Sequence, residues 1–558
     1  MRSSVAAIAA VLALSAPALT PAVALAAPAA KSDATPSIDM MKRLVKELSS
    51  DAYEGRAPGT VGEEKTLALL TAEFEKLGLK PGNKGSWFQD VPLVEITAKN
   101  VSALSFTGGK APITATYGPE MVIGTYRTTQ PRIEVKDSPV VFVGYGINAP
   151  EKGWNDYAGL DVKGKTVLIL VNDPDYQTPG LTGPFNGRAM TYYGRWTYKF
   201  EEGARQGALG VLIVHETAPA SYGWETVKNS NTNAQFDIVR PDPARTHPTL
   251  EGWVQRDVAV DLFKRSGLDF EALKKQAQTR GFKPVVLAGA SLSADYAVDH
   301  KVIVSHNVLG RLTGAKRPDE TVIYSAHWDH LGVGAPDARG DRIYNGAVDN
   351  ATGVAALLEL GRMFAAAPRT ERTVVFMSVT AEEKYLLGSE YYAANPIYPL
   401  SKTVGDVNMD MLGVWGRTRD ISTFGGAEND LLDRLIAVGV AHGLAYTPDP
   451  SPEAGHFYRS DHFSLSKRGV PALSFSMGDD LVVGGRAVGA AKRNAYNAQK
   501  YHQPGDEWSP DWDMGGQVQA VSVLYDLGRG LAQSRDWPEW KAGAEFKAAR
   551  DATAGERR

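Results

Sequence analysis

Side chains that bind metal ions recur along residues 321–502, and most of them follow an apolar run typical of a buried strand. Open α/β sheets collect their functional sites at the carboxyl ends of such strands. The runs are 321–325, 373–379, 404–408 and 470–476, and the motifs are Ala326-His327-Trp328-Asp329, Val348-Asp349-Asn350, Ala381-Glu382-Glu383, Asn408-Met409-Asp410 and Tyr501-His502. Imidazoles and carboxylates in a chain without cysteine favour zinc bound through nitrogen and oxygen. We interpret the set as a hydrolase centre for two zinc ions.

His327 and Asp329 are two residues apart at a strand end, so both side chains can lie on one face. We expect His327 to bind metal and the Asp329 carboxylate to accept the second ring N–H. Alone, a His-x-Asp sequence is more often an ordinary strand end at the surface. Asp349 opens a predicted helix, where a carboxylate is commonly only an N-cap. Beside His327 and the acids that follow, Asp349 becomes the natural bridging ligand between two metals.

The remaining acids and the late histidine each have a simpler explanation. Adjacent glutamates such as Glu382 and Glu383 often begin a solvated helix, but one can bind metal while the other holds the attacking water. Asp410 closes an apolar strand, where its charge is costly unless a metal or hydrogen bonds compensate it. His502 could be an exposed loop histidine. The order of all these motifs is far more specific than any one of them.

In the order of these motifs the chain resembles the co-catalytic zinc peptidase family of leucyl-type aminopeptidases and glutamate carboxypeptidase. The resemblance also includes the sequences Asp349-Asn350-Ala351-Thr352-Gly353, Leu387-Gly388-Ser389 and Tyr501-His502-x-Pro504-x-Asp506. The resemblance implies an α/β fold, with a mixed central sheet flanked by helices. It also implies a cis bond between Asp349 and Asn350. The implied site residues are His327 and Asp410 on one zinc, Glu383 and His502 on the other, Asp349 as the bridge, Glu382 as general base and Tyr501 as oxyanion donor.

Two positions near the site are expected to shape substrate binding. Relatives usually have glycine two residues after the paired glutamates, where this chain has Tyr385. A bulky residue cannot reproduce every glycine conformation, so we expect a different turn and pocket wall. Arg459 matches a family segment near the substrate, and it could bind a carbonyl or carboxylate or form a surface salt bridge. The glycine-rich stretch 478–500 is expected to be a long loop at the pocket mouth.

The whole chain suggests a globular protein of more than one domain. Its 558 residues exceed the usual size of one core, and a net charge of -4 without a basic stripe makes nucleic acid an unexpected partner. Arg2, an apolar run and Ala24-Leu25-Ala26 predict a cleaved signal peptide and a periplasmic or secreted protein of bacterial type, with no membrane span after cleavage. The predicted parts are 1–26 signal peptide, 37–125 and 296–535 peptidase domain, 126–295 an inserted β-rich protease-associated domain, and 536–558 a charged tail, partly disordered.

The expected activity is that of an exopeptidase on peptides, and in the first place that of an aminopeptidase. Two zinc ions would polarise the scissile carbonyl and acidify water, while Glu382 takes its proton and returns it to the leaving amine. A carboxypeptidase or dipeptidase would use the same centre with a basic pocket, for which the sequence offers Arg459 but no obvious arginine cluster. A glutaminyl cyclase would need one zinc only. A catalytically inactive binding protein usually lacks ligands, and here none is missing. Cobalt or manganese could replace zinc.

Overall fold

The computed structural model describes residues 35–101, 104–107, 112–127, 130–232 and 234–557. The predicted signal peptide lies outside these residues. Within them, no helix combines the length and the apolar character needed to cross a bilayer.

A mixed sheet forms the centre of the part that carries the ligand motifs. Its order is Phe88–Lys99, Val285–Leu312, Arg372–Val379, Arg317–His327, Thr403–Met409, Ala472–Met477, Asp420–Thr423 and Ala445–Tyr446, with Lys80–Pro81 also paired to the second strand. The middle strands, Arg372–Val379 to Ala472–Met477, run parallel. The four predicted apolar runs are these parallel strands, so the predicted fold class is confirmed.

Alternate residues of the central strands pack on opposite faces of the sheet. Val322 and Tyr324 belong to one hydrophobic cluster and Ile323 to another. The first cluster is completed by helices Ile38–Leu48, Val61–Lys76, Thr352–Ala366, Asp430–Ala441 and Gly515–Gln533. The second is closed by Leu387–Ala394 and His462–Ser466. Both faces of the sheet are therefore covered, which leaves its carboxyl edge as the place for a site.

A second sheet is built on the amino-terminal half of Val285–Leu312. Its order is Val285–Leu312, Arg132–Phe142, Thr166–Leu170, Gly210–His215, Leu250–Gln255 and Met121–Gly124, and its helices are Trp196–Arg205, Thr217–Ala220, Trp224–Asn231, Arg256–Arg265 and Phe270–Ala277. Leu104–Thr107, Ile113–Ala115 and Gln235–Ile238 join these strands at the junction. Two hydrophobic clusters of its own pack against it. The domain boundaries and the protease-associated assignment stay predictions.

Two expectations about irregular segments are wrong. Residues 478–500 are mostly the helix Gly485–Gln499 and not a long loop, because after Gly489 the chain supplies four alanines together with Lys492 and Arg493, which have good helix propensity. The charged tail is not partly disordered in its described residues. Helix Lys547–Asp551 forms there, and Arg550 is 1% exposed, with its guanidinium donating to the Thr403 and Pro538 carbonyls.

Candidate metal centre

The side chains predicted to bind metal lie at the carboxyl ends of three parallel strands and on two loops. His327 is the last residue of Arg317–His327, and Asp410 directly follows Thr403–Met409. Glu382 and Glu383 begin a short turn three residues after Arg372–Val379. Asp349 precedes helix Thr352–Ala366, and His502 follows helix Gly485–Gln499. The strand ends and the two loops thus bring all the predicted ligands to one edge of the sheet.

One cluster forms around His327. Its Nε2 atom lies 3.3 Å from Oδ1 of Asp349 and 3.3 Å from Oδ1 of Asp410. The three side chains are buried and could hold one metal ion. This is the grouping that the resemblance implies for the first zinc, with Asp349 offering its other oxygen elsewhere.

A second cluster forms on the other side of Asp349. Nε2 of His502 lies 3.3 Å from Oδ2 of Asp349 and 3.0 Å from Oε2 of Glu383. His330 also belongs here, because its Nδ1 lies 2.6 Å from Oε1 of Glu383. His330, Asp349 and Glu383 together satisfy the spacing of a metal site. Asp349 is therefore shared by both clusters, as a bridging ligand would be.

These residues fit a bound cation. Both ring nitrogens of His330 and Oε1 of Glu383 are buried and make no hydrogen bond to any residue that the structure describes, although two of these atoms are 2.6 Å apart. Buried polar atoms of this kind normally have a partner, and a metal ion would supply one. Nitrogen and carboxylate oxygen ligands suit zinc.

In the two clusters, buried carboxylates and imidazoles lie close together and shift each other's pKa. Burial and the charge of Glu383 oppose ionisation of Asp349, but its contacts with His327 and His502 outweigh them and lower its pKa to about 2. Burial also disfavours the charged form of His502, yet Glu383 and Asp349 raise its pKa to about 10. The carboxylate of Asp349, which both clusters share, is thus kept anionic, and this is the state that can bind metal.

Glu382 differs from its neighbour. Burial, with the nearby charges of Asp410 and Glu383, raises the pKa of Glu382 well above its usual range, and His327 opposes the shift only in part. Glu382 lines the cavity and belongs to neither metal cluster. A carboxylate with a raised pKa that faces the cavity is suited to accept and return a proton.

The loop of Asp349 is held by Asp506. The Asp506 carboxylate accepts hydrogen bonds from the backbone N–H of Val348 and of Asp349, both at 3.1 Å. The Tyr496 hydroxyl donates to the same carboxylate at 3.1 Å. The bond between Asp349 and Asn350 is cis, as the resemblance implies. Asp506 therefore fixes the backbone that carries Asp349.

Asp329 orients the site in a different way from the one expected. Nδ1 of His327 lies 3.1 Å from the main-chain carbonyl oxygen of Asp329, whereas the Asp329 carboxylate is 3.7 Å away. That carboxylate instead accepts the backbone N–H of Glu382 at 3.1 Å and of Glu383 at 3.4 Å. The carbonyl thus sets the ring of His327, and the carboxylate fixes the turn that carries both glutamates.

A cavity of about 2010 Å³ opens onto the metal clusters. Its walls come from both sheets: Glu382, Asp410 and Tyr501 on one side, and Tyr126 and Arg195 on the other. The ring of Tyr501 stacks on His502 at 3.9 Å and is 37% exposed. The predicted oxyanion donor therefore lies beside His502, a predicted metal ligand, and faces the cavity.

Tyr385 adopts a backbone conformation that glycine adopts most readily. Its φ is 73°, in the left-handed region. The side chain does form a new cavity wall: its ring lies 5.0 Å from that of Trp196, and its hydroxyl donates to Gln235 at 3.2 Å. Tyr385 thus ties the turn of the glutamates to the inserted sheet.

Arg459 lines the cavity and does not form a surface salt bridge with any described residue. Its Nε and Nη2 atoms are buried without a hydrogen-bond partner among those residues, and its guanidinium lies 5.8 Å from the centre of the Tyr222 ring. The next residue, Ser460, donates its hydroxyl to Oδ2 of Asp410 at 2.8 Å. Arg459 is therefore next in sequence to a residue that contacts Asp410, a predicted metal ligand.

Sequence reasoning missed several residues at this site. His330 stands in the same His-Trp-Asp-His sequence as His327, so a second histidine close behind the first was an available signal. Arg56 had no such signal: it is fully buried and donates to the carbonyls of Leu48, Trp328, Asn345 and Gly346. Arg56 thereby joins the amino-terminal loop to the segment of His327 and to that of Asp349, two of the predicted ligands.

Comparison with known proteins agrees with this geometry. "Aminopeptidase NAALADL1" of Mus musculus is 32% identical over 139 residues, which are 24% of this chain and 17% of that protein. A "Probable zinc metalloprotease" of Pyrenophora teres f. teres is 35% identical over 106 residues, 19% of this chain and 22% of that protein. The chain thus matches about a fifth of the length of these curated relatives.

A solved structure shows the same fold over most of the chain. It is the aminopeptidase from Aneurinibacillus sp. strain AM-1, with a TM-score of 0.51 and 20% identity over 89% of this chain and 95% of that one. Residues 307–525 match the model described as "Peptidase family M28", and this segment contains every residue of both metal clusters. The similarity to peptidase family M28 therefore covers residues 307–525, the part of the chain that holds the candidate metal site.

Proposed function

We propose that this protein is a zinc-dependent exopeptidase, in the first place an aminopeptidase that removes amino-terminal residues from peptides and binds two zinc ions. The observation that carries the proposal is the shared position of Asp349 between two clusters, with Glu382 beside them at the cavity surface. His327, Asp349 and Asp410 would hold one ion, and Asp349, Glu383 and His502 the other. His330 stands within reach of the second ion. Aminopeptidases among the relatives and solved structures support the choice of substrate end.

Bound zinc would act as a Lewis acid toward the scissile carbonyl and acidify the attacking water. In our proposal Glu382 accepts the proton of that water and later delivers it to the leaving amine. The Tyr501 hydroxyl donates a hydrogen bond to the developing oxyanion. Asp329 holds the turn that carries Glu382 by accepting the backbone N–H of Glu382, and Ser460 orients the Asp410 carboxylate by donating its hydroxyl to it. Both positioning contacts are hydrogen bonds within the buried wall of the site.

The test combines metal content with product analysis. Purified zinc-loaded protein should contain about two zinc ions per chain, and mass spectrometry should show unblocked peptides shortened from the amino end only. Glu382→Gln should retain zinc and lose activity by roughly 100-fold or more, because general acid–base catalysis contributes about 10²–10⁴-fold. Glu75→Gln, at an exposed glutamate of helix Val61–Lys76, is the matched control.

The other outcomes separate the alternatives. Shortening from the carboxyl end would overturn the aminopeptidase in favour of a carboxypeptidase. Bound zinc without turnover of any peptide would favour a binding protein, and full activity in Glu382→Gln would remove Glu382 from the role of base.

A further inference from the structure

Three left-handed residues surround the paired glutamates. Ala381, Tyr385 and Leu386 have φ values of 53°, 73° and 61°. Such conformations are costly for residues with a side chain, and they persist where the surrounding structure determines them. The turn that carries Glu382 and Glu383 therefore needs support from outside its own backbone.

One support comes from the peptidase part of the molecule. The Asp329 carboxylate accepts the backbone N–H groups of Glu382 and Glu383 at 3.1 Å and 3.4 Å. These hydrogen bonds hold the beginning of the turn.

The second support comes from the inserted part and holds the end of the turn. The Tyr385 ring packs on Trp196 at 5.0 Å and on Tyr126 at 6.1 Å. Its hydroxyl donates a hydrogen bond to Oε1 of Gln235 at 3.2 Å. The side chain of Tyr385 is thus fixed both by ring packing and by a directional contact.

Gln235 is itself held in place. Its Nε2 donates to the Ser230 carbonyl at 2.9 Å, and its Oε1 also accepts the Tyr126 hydroxyl at 3.1 Å. An acceptor that is fixed by two further hydrogen bonds can fix the Tyr385 hydroxyl in turn.

The residues next to this contact make a parallel one. The Lys384 ammonium lies 5.5 Å from the centre of the Phe236 ring, a favourable cation–π distance. Phe236 belongs to strand Gln235–Ile238, which pairs with Phe88–Lys99. Two consecutive residues of the turn are therefore held by two consecutive residues of one strand.

We propose that the inserted part positions the general base Glu382 through Tyr385, which acts as a positioning residue. This inference rests on the proposed peptidase function and adds a residue through which the inserted part sets the rate of the reaction. Tyr385 is three residues after Glu382 and two after Glu383, so a shift of Tyr385 is passed directly to both. A displacement of ~1 Å in a catalytic group can lower a rate by about 100-fold.

The first experiment removes only the hydroxyl. Tyr385→Phe should lower kcat by about 2- to 10-fold, which corresponds to the loss of one hydrogen bond, and change KM by less than about 2-fold. In a Gln235→Met background, Tyr385→Phe should cause no further loss, because the acceptor is already absent. Tyr198→Phe is the matched control and should keep kcat, since its hydroxyl contacts the backbone of Asn148 within a hydrophobic cluster of the inserted part.

The kinetic constants distinguish positioning from the other roles that Tyr385 could have. A rise in KM at unchanged kcat would make it a substrate contact. Unchanged kcat and KM would make its contribution structural only. A further loss of the same size in the Gln235→Met background would remove Gln235 from the link. Each of these results overturns the inference and leaves the peptidase function standing.

Hydrogen exchange tests the positioning without turnover. Three backbone N–H groups close the turn, those of Leu386, Leu387 and Gly388. In zinc-loaded protein their exchange should be about 2- to 10-fold faster in Tyr385→Phe and unchanged in Tyr198→Phe. Faster exchange that is confined to residues 380–388 supports the positioning even if no peptide is hydrolysed, a result that would refute only the proposed function.

Two outcomes of the exchange measurement would overturn the inference. One is unchanged exchange at residues 380–388, and the other is equally faster exchange over the whole chain, which would reflect lost stability alone. If Gln235→Met does not fold, Tyr385→Phe and its exchange still decide the question.

Discussion

The backbone at Tyr385 gives a direct prediction about stability. A left-handed residue other than glycine costs about 1–3 kcal/mol, and φ of Tyr385 is 73°. Replacement by glycine removes this strain but also deletes the ring that packs on Trp196 at 5.0 Å and Tyr126 at 6.1 Å. Replacement by alanine deletes the same ring and keeps the strain. Tyr385→Gly and Tyr385→Ala therefore form a matched pair that differs only in the backbone term.

The magnitudes follow from these two contributions. Removal of a buried aromatic side chain costs about 3–5 kcal/mol, and the value here belongs at the lower end because Tyr385 is only half-buried. Relief of strain returns about 1 kcal/mol to the glycine variant. We expect Tyr385→Gly to lose roughly 2 kcal/mol of stability and Tyr385→Ala roughly 3 kcal/mol. Glycine should thus be the better residue here, in reverse of the order inside a helix.

The assay is thermal and denaturant unfolding of the zinc-loaded proteins, followed by tryptophan fluorescence, with Tyr385→Phe as a third variant. Phe keeps the ring and the strain and loses only the hydrogen bond to Gln235, so it should lose about 1 kcal/mol. An alanine variant as stable as the glycine variant, or more stable, would refute the strained turn.

Two further predictions concern charge. Burial lowers the pKa of His247, but Glu251 and Asp237 outweigh burial and raise this pKa from 6.5 to about 10. The stabilisation by the charged ring of His247 is therefore complete below pH 6.5 and is lost as the pH rises to 10. His247→Gln should therefore lose about 1–3 kcal/mol at pH 6 and little at pH 10, and an equal loss at both in thermal unfolding would contradict this. Removal of metal by a chelator should lower the temperature midpoint of unfolding, because the clustered carboxylates repel one another without a cation. Zinc at about 1,000 times its Kd should then restore ~4 kcal/mol of the free energy of unfolding. A midpoint that is insensitive to zinc would count against the proposed metal centre.

The parts of the site that the sequence could predict are those with a local signature. A strand followed at once by a ligand side chain marks His327 and Asp410, and the known geometry of parallel sheets brings such residues together. His502 does not follow a strand, so only the resemblance to the family identifies it as a predicted metal ligand. The structure sets its Nε2 3.0 Å from Glu383. The site residues as a set stay a prediction until metal and activity are measured.

The turn after Glu383 shows where a local rule gives the wrong answer. A residue with a large side chain such as tyrosine disfavours the left-handed backbone conformation. Tyr385 nevertheless adopts it, because contacts with the surrounding residues hold this turn in place. Asp329 fixes the preceding N–H groups of Glu382 and Glu383, and the inserted sheet holds the Tyr385 ring. Strain of this size is tolerated when tertiary contacts outweigh it. Such contacts join residues far apart in the chain, so a local pattern does not contain them.

Arg195 was beyond prediction for the same physical reason. As a single arginine before a helix in the inserted part, it has no periodicity or motif that separates it from a surface cation. It lines the cavity because the long strand Val285–Leu312 pairs with strands of both parts of the molecule and so joins the inserted part to the candidate metal site. Such an arrangement depends on residues far apart in the chain, and no local pattern contains it.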